Sequence, residues 1–218
     1  MKNFLEKEIK LCLSPVNYMF LLFSLMVVIP NYPLYVELFY YCLSVLFIFV
    51  NSELNKDIQY SMILPITKKQ IVKSRCILVG CYEIIGIILT IPFALLNHKF
   101  FPEGNPAGID MNIAFYGLGL IPVTFFHLIF FSMYYKKAEK PRGPFLVASI
   151  AFWLIYALLE FPVWTQNILD FEFVKYLDTI DFIPKVQLPV LAIGILIYIV
   201  GWILTYKIAS NRFEKVDL

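Results

Sequence analysis

The stretch YSMILPITKKQIVKSR, from Tyr60 to Arg75, is the longest break in a chain that otherwise reads as hydrocarbon. Pro65 disfavours helix at Leu64, so a helix arriving from the N-terminal side is predicted to end there or earlier. Thr67 followed by Gln70 is a capping box, with Ile66 and Ile71 placed to close a hydrophobic staple around it. The next helix is therefore predicted to begin at Lys68. At about 1.5 Å per residue, the eight residues 68–75 carry its start roughly 12 Å beyond the apolar run that follows. The expectation is two helices that outrun their apolar parts and are pinched together at LPIT.

What lies outside this hairpin decides its surroundings. The chain is 60% hydrophobic and 16% charged, against about 45–50% and 25% in soluble domains, which is a membrane composition. Six apolar segments can be cut, at about 16–30, 34–50, 76–96, 113–134, 145–161 and 188–206. Each approaches the roughly 17–25 residues that cross a hydrocarbon core of about 30 Å. The first is short, but Ser14 and Pro15 supply an N-cap and an N1 proline. PNYP, at 30–33, leaves room only for a tight turn. The predicted fold is an all-α, six-span helical bundle, 15–218, preceded by a segment 1–14.

All but three of the 18 Lys and Arg residues lie at the two chain ends and in the loops after the second and fourth segments. Only Lys99, Lys175 and Lys185 fall on the other side. The positive-inside rule then places both termini in the cytoplasm, in a cell membrane expected to be a bacterial plasma membrane. The net charge of +2 is not pooled on one face, so no nucleic-acid partner is expected. No A-x-A-like cleavage site follows the first apolar run, and a cleaved signal peptide is not expected. Cys12, Cys42, Cys76 and Cys81 form no CxxC pair and read as small apolar residues, with no metal site.

In segment 1–14, Phe4, Leu5, Ile9, Cys12 and Leu13 share one half of a helical circumference, and Glu6, Lys7 and Lys10 the other. Glu8 breaks the pattern on the apolar half. An interfacial helix and a frayed polar terminus both fit. The hairpin, about 51–75, also has two readings. Its apolar Ile63, Leu64 and Ile66 beside Lys68 and Lys69 suit a docking surface for a cytosolic partner. An ordinary hairpin with lysines among anionic headgroups would explain the charge but not the apolar tip.

These residues resemble the small permease subunits of the ABC-2 family of ATP-binding cassette transporters. The resemblance is strongest over about 1–96. It rests on LSPVNYMFLLFSLMVVIPNYP and on an acidic residue, an aromatic, Leu-Pro, basic residues and an aliphatic pair: Asp57, Tyr60, Leu64-Pro65, Lys68-Lys69 and Ile71-Val72, followed by Lys73 and Arg75. The second half matches only in its hydropathy layout. The resemblance implies a type V exporter-like fold in which segment 1–14 is an elbow helix and the hairpin is a coupling element seated against an ATPase subunit. Asp57, Tyr60, Ile63, Leu64, Pro65, Ile66, Thr67, Lys68 and Lys69 would make that contact. It further implies two cytosolic ABC ATPase chains that bind ATP and Mg, and a second permease chain, identical or related.

The chemistry absent from the sequence agrees. No glycine precedes Lys-Ser or Lys-Thr, so no Walker A loop is present, and neither HExxH nor G-x-S-x-G occurs. The chain is not expected to be an enzyme or to hold a cofactor of its own. Three ionisable residues are candidates for a translocation path: Glu83 in the third segment, Glu37 at the outer start of the second, and His127 in the fourth. A carboxyl hydrogen-bonded to a neighbouring helix is the alternative for Glu83, an interfacial position that for Glu37, and a packed polar residue that for His127. Pro92 and Pro122 are candidate kinks. The outer segment, about 160–187, alternates Glu160, Asp170, Glu172, Asp178 and Asp181 with Trp164, Ile168, Leu169, Phe171, Phe173 and Tyr176. One or two amphipathic helices are expected there, as an outer gate or an aromatic anchor. The leading expectation is a permease subunit exporting a hydrophobic or amphipathic substrate such as a peptide. A self-contained secondary transporter or channel, and a non-transporting immunity or scaffold protein, are the alternatives.

Overall fold

The computed structural model describes residues 2–100, 102–169 and 172–216, with side chains from residue 6 onward except 167–169. Asp170 and Phe171 lie outside the described residues, and Phe4, Leu5, Ile168 and Leu169 outside the described side chains. In chain order the elements are α1 (Lys2–Cys12), α2 (Pro15–Leu22) continued by a 3-10 stretch (Phe23–Val28), α3 (Tyr35–Leu54), α4 (Asp57–Ile63), α5 (Lys68–Phe100), α6 (Ile113–Tyr134), α7 (Arg142–Leu169), α8 (Glu172–Leu177) and α9 (Pro184–Glu214). Among the described residues there is no strand.

Helices α3, α5, α6, α7 and α9 are each long and apolar enough to cross a membrane. The sixth span is a broken one. Glu6–Cys12 meets Pro15–Val28 at a bend of 89°, where Ser14 and Pro15 stop one helix and start the next. Eight α-helical residues and six 3-10 residues, rising about 1.5 and 2.0 Å each, reach roughly 24 Å. An all-α segment of the same length would reach about 21 Å, so the tighter winding adds roughly 3 Å towards a hydrocarbon core of about 30 Å. Asn17 fastens it: its Nδ2 donates to the Ser44 carbonyl and Oγ of α3 at 2.9 and 2.8 Å, and its own carbonyl accepts Tyr82 Oη of α5 at 2.8 Å.

The centre of the bundle is α6, packed against α9 and α7. A Cβ on Gly117 would stand 2.6 Å from the Leu191 Cα, and one on Gly194 would collide with the Gly117 carbonyl. Glycine on both helices lets the backbones meet directly, the close approach that packs membrane helices without a hydrophobic driving force. Aromatic rings fill the rest. Phe49 of α3 sits edge-on to Phe130, Phe131 and Tyr134 at centroid distances of 4.6–5.2 Å.

Two expectations change. Helix α3 does not run to the Leu64 region; it ends at Leu54, and α4 is a separate element. Lys56 takes a left-handed conformation, φ 50°, and its N–H bonds to the Glu53 carbonyl at 3.1 Å, closing α3. Asn51 and Asn55 are occupied with the Cys12 and Leu11 carbonyls at the end of α1, at 3.0 and 2.7 Å. The stop is set by α1, a segment remote in sequence. On the opposite face, α7 continues past 161 to Leu169 and α9 begins at Pro184, so helix ends occupy much of the predicted outer segment. Pro92 and Pro122 both lie inside uninterrupted helices.

Candidate functional site

The start of α5 forms as its sequence dictates. The Thr67 N–H donates to Gln70 Oε1 at 2.9 Å and the Gln70 N–H to Thr67 Oγ1 at 3.3 Å. Ile71, one turn on, is buried, and Ile66 packs against the same core. Before this cap, α4 and the end of α3 project an apolar surface. Ile63 is 84% exposed, Leu54 74% and Tyr60 51%. Pro65 and Thr67 are exposed beside them, and Leu64 and Ile66 are half-buried.

The other three hairpin candidates face the chain itself. Lys68 donates to the Val216 carbonyl at 2.6 Å and lies over the Phe213 ring at 5.8 Å, while Lys69 pairs with Glu214 at 3.2 Å. The end of α9 thus braces the start of α5. Asp57 is fully buried. Its Oδ2 accepts Arg75 Nη2 at 2.5 Å and Ser52 Oγ at 3.3 Å, and its Oδ1 accepts Lys7 Nζ and Ser61 Oγ at 2.6 and 3.4 Å.

Around Asp57 lies a set of residues that the sequence did not bring together. Glu8, the residue that breaks the apolar side of α1, accepts Arg75 Nε at 2.7 Å and Ser74 Oγ at 3.2 Å, and lies 3.0 Å from Lys7 Nζ. Arg75 also stands over Phe49, 5.1 Å from the ring centroid. Two carboxylates and two cations, on α1, α4 and α5, are balanced in a buried space. Burial would push the Asp57 carboxyl up, but Arg75 and Lys7 outweigh it and hold the group below the ordinary value of 3.8. Ligand atoms of Glu8, Cys12 and Asp57 lie within 4.8 Å of one another. The Lys7 ammonium and Arg75 guanidinium already neutralise those carboxylates, so the cluster is an ion-pair joint. The available signal was Glu8 on the wrong side of its helix. An arginine at the mouth of an apolar span was the other.

The intramembrane candidates separate into two places. Glu83 of α5 and His127 of α6 meet at 2.5 Å (Oε1 to Nε2), and Tyr198 Oη of α9 donates to Glu83 Oε2 at 3.0 Å. The Trp202 indole stacks on the imidazole at 4.4 Å. Three helices therefore share one buried polar knot, the hydrogen-bonded arrangement that such residues adopt in hydrocarbon. Glu37 is elsewhere and wholly buried. Tyr41 donates to its Oε1, and Glu37 Oε2 has no hydrogen-bond partner among the described residues. Tyr41 Oη also lies 3.2 Å from the Gly86 carbonyl, a contact that depends on glycine, since a Cβ there would be 2.8 Å from the ring.

On the opposite face, residues 102–112 are stitched to α7, α8 and the loop after it. Glu160 accepts the Ile109 N–H at 3.2 Å, Asp178 accepts the Asp110 N–H at 2.9 Å, and Asn112 donates to the Leu177 and Thr179 carbonyls at 2.7 and 2.8 Å. A cavity of about 720 Å³ beside this seam is lined by Glu103, Asn105, Asp110, Gln166 and Asp178 among others.

Comparison with curated proteins and with solved structures returns no match. The sequence model of one family, described as ABC-2 family transporter protein, matches residues 3–210. That match takes in the α1 joint, the α4–α5 hairpin and the long helices, α9 as far as Ser210. The chain belongs to the ABC-2 family of transporter proteins and is a membrane-spanning permease component of an ABC transporter, a kind of subunit that works with ABC ATPases.

Proposed function

We propose that the exposed surface of α4 and the turn after it is the seat of a cytosolic ATPase subunit. One observation carries this reading: an 84% exposed Ile63 on a short helix whose other side is locked into the chain through buried Asp57. Greasy residues facing water on a rigid support suit a protein partner. The partner holds ATP and Mg; this chain contributes the lever. Closure of an ATPase pair pushes α4, and the Asp57–Arg75 and Glu8–Arg75 pairs pass the push to α5 and α1. A second permease chain, identical or related, completes the path, and the cargo is a hydrophobic or amphipathic molecule such as a peptide, exported. Both termini are cytoplasmic, in a bacterial plasma membrane.

The test is co-purification from native membranes. A Walker-containing chain should be recovered with the wild type and lost with Ile63→Asp, which touches no buried group and should leave thermal stability unchanged. Equal recovery with Ile63→Asp would refute the seat. Transport by a purified preparation of this chain alone would favour a self-contained transporter instead.

A further inference from the structure

On one flank of the bundle, α5 and α9 enclose an apolar groove of about 410 Å³. Its α5 side carries a stripe of Lys73, Ile77, Gly80 and Ile84, at helical spacings of three and four, flanked by Cys76 and the exposed Cys81. Its α9 side is Tyr198, Trp202 and Tyr206. The two helices run antiparallel, so Lys73 and Tyr206 lie at the end near the hairpin, and Ile84 and Tyr198 lie deep. Gly80 keeps the floor low, for a Cβ there would already touch the Trp202 ring at 3.7 Å.

We infer that this groove holds one acyl chain of an anionic glycerophospholipid, with its phosphate at Lys73. Depth is the first argument. The eleven helical steps from Lys73 to Ile84 span about 17 Å, close to half of a hydrocarbon core of about 30 Å, so the groove is one leaflet deep. Volume is the second. Spread over that length, about 410 Å³ is a cross-section of roughly 24 Å², which admits a single flexible chain but not a helix about 10–12 Å across. Charge is the third. Lys73 is exposed and makes no ion pair among the described residues, and it stands where a headgroup phosphate would be. The groove wall is also the back of the buried polar knot. Trp202 stacks on His127 and Tyr198 bonds Glu83, so an occupant would be felt at that pair.

The test uses the full chain and two lipids, dioleoylphosphatidylglycerol and dioleoylphosphatidylcholine, in native mass spectrometry. Phosphatidylglycerol should be retained about fivefold more tightly, the effect of roughly 1 kcal/mol from one interfacial lysine. Lys73→Ala should abolish the preference. Gly80→Leu, which fills the slot and keeps the lysine, should abolish retention. Brominated acyl chains should quench Trp202 in a chain whose other two tryptophans are Phe (Trp153→Phe, Trp164→Phe), and phosphatidylglycerol should do so at lower mole fraction. Equal retention of both lipids would overturn the inference, as would a preference unchanged by Lys73→Ala or by Gly80→Leu. So would an unquenched Trp202 together with Cys81-to-Cys81 cross-linking, because a second copy of the chain would then cover the groove.

Discussion

At the scale of single residues, Arg75 decides most. It is among the largest fully buried side chains, and it touches Glu8 through Nε and Asp57 through Nη2. Desolvating four charges is costly, and the arrangement survives only because each has a partner. Removing one should therefore cost more than its contacts are worth. Arg75→Met is expected to destabilise the chain by about 3–5 kcal/mol, read as loss of melting temperature in detergent. Arg75→Lys should not rescue it, because one ammonium cannot replace a planar fork with two acceptors. A wild-type melting curve for Arg75→Lys would refute the joint. Little of this was legible beforehand. The Thr67–Gln70 cap could be read because its partners lie three residues apart, within the range of a local rule. Glu8 and Arg75 are 67 residues apart, and no spacing rule reaches that far.

Among elements, two junctions carry the geometry, and each gives a paired test. At the α3–α4 break Lys56 has φ 50° and an exposed side chain. Lys56→Val should cost about 1–2 kcal/mol, since a branched Cβ in the left-handed region strains the backbone. Lys56→Gly should cost nothing measurable. If both behave as wild type, the break is not held by that conformation. At the α6–α9 contact, Gly194→Ala places a methyl against the Gly117 carbonyl and must push two helices apart; about 1–3 kcal/mol is expected. Gly143→Ala, at the start of α7 with open space around it, should instead gain about 0.5–1 kcal/mol. Denaturation in mixed micelles would separate the two signs. The long helices were visible in the sequence because apolar length is a strong signal. The α3 stop was not, since its cause is the pairing of Asn51 and Asn55 with α1.

Across the whole molecule the two faces are built from opposite electrostatics, and pH should separate them. Near the hairpin Asp57 sits between two cations, so its carboxyl is held below the ordinary value of 3.8. The stability it contributes is fully present above that value and is lost only as pH falls through the lower, folded one. On the opposite face, burial pushes the Asp110 and Asp178 carboxyls up. Each also feels its surroundings: the Asn105 N–H, Asp178 and His98 act on Asp110, and the Asp110 N–H and Gln166 on Asp178. Glu160 is bound to Ile109 of the same seam. A raised folded pKa means that the folded state binds protons more readily than the unfolded one between 3.8 and the raised value. In that window stability falls as pH rises. Acidification from neutrality towards 3.8 should accordingly tighten residues 102–112, while the Asp57 joint stays constant. Amide exchange of that segment, corrected for the intrinsic pH dependence of exchange, should slow on acidification in the wild type. The response should shrink in Asp178→Asn, which retains an acceptor for the Asp110 N–H but no longer titrates. Faster exchange at low pH, or an undiminished response in Asp178→Asn, would show that the seam is held by something other than these two carboxyls.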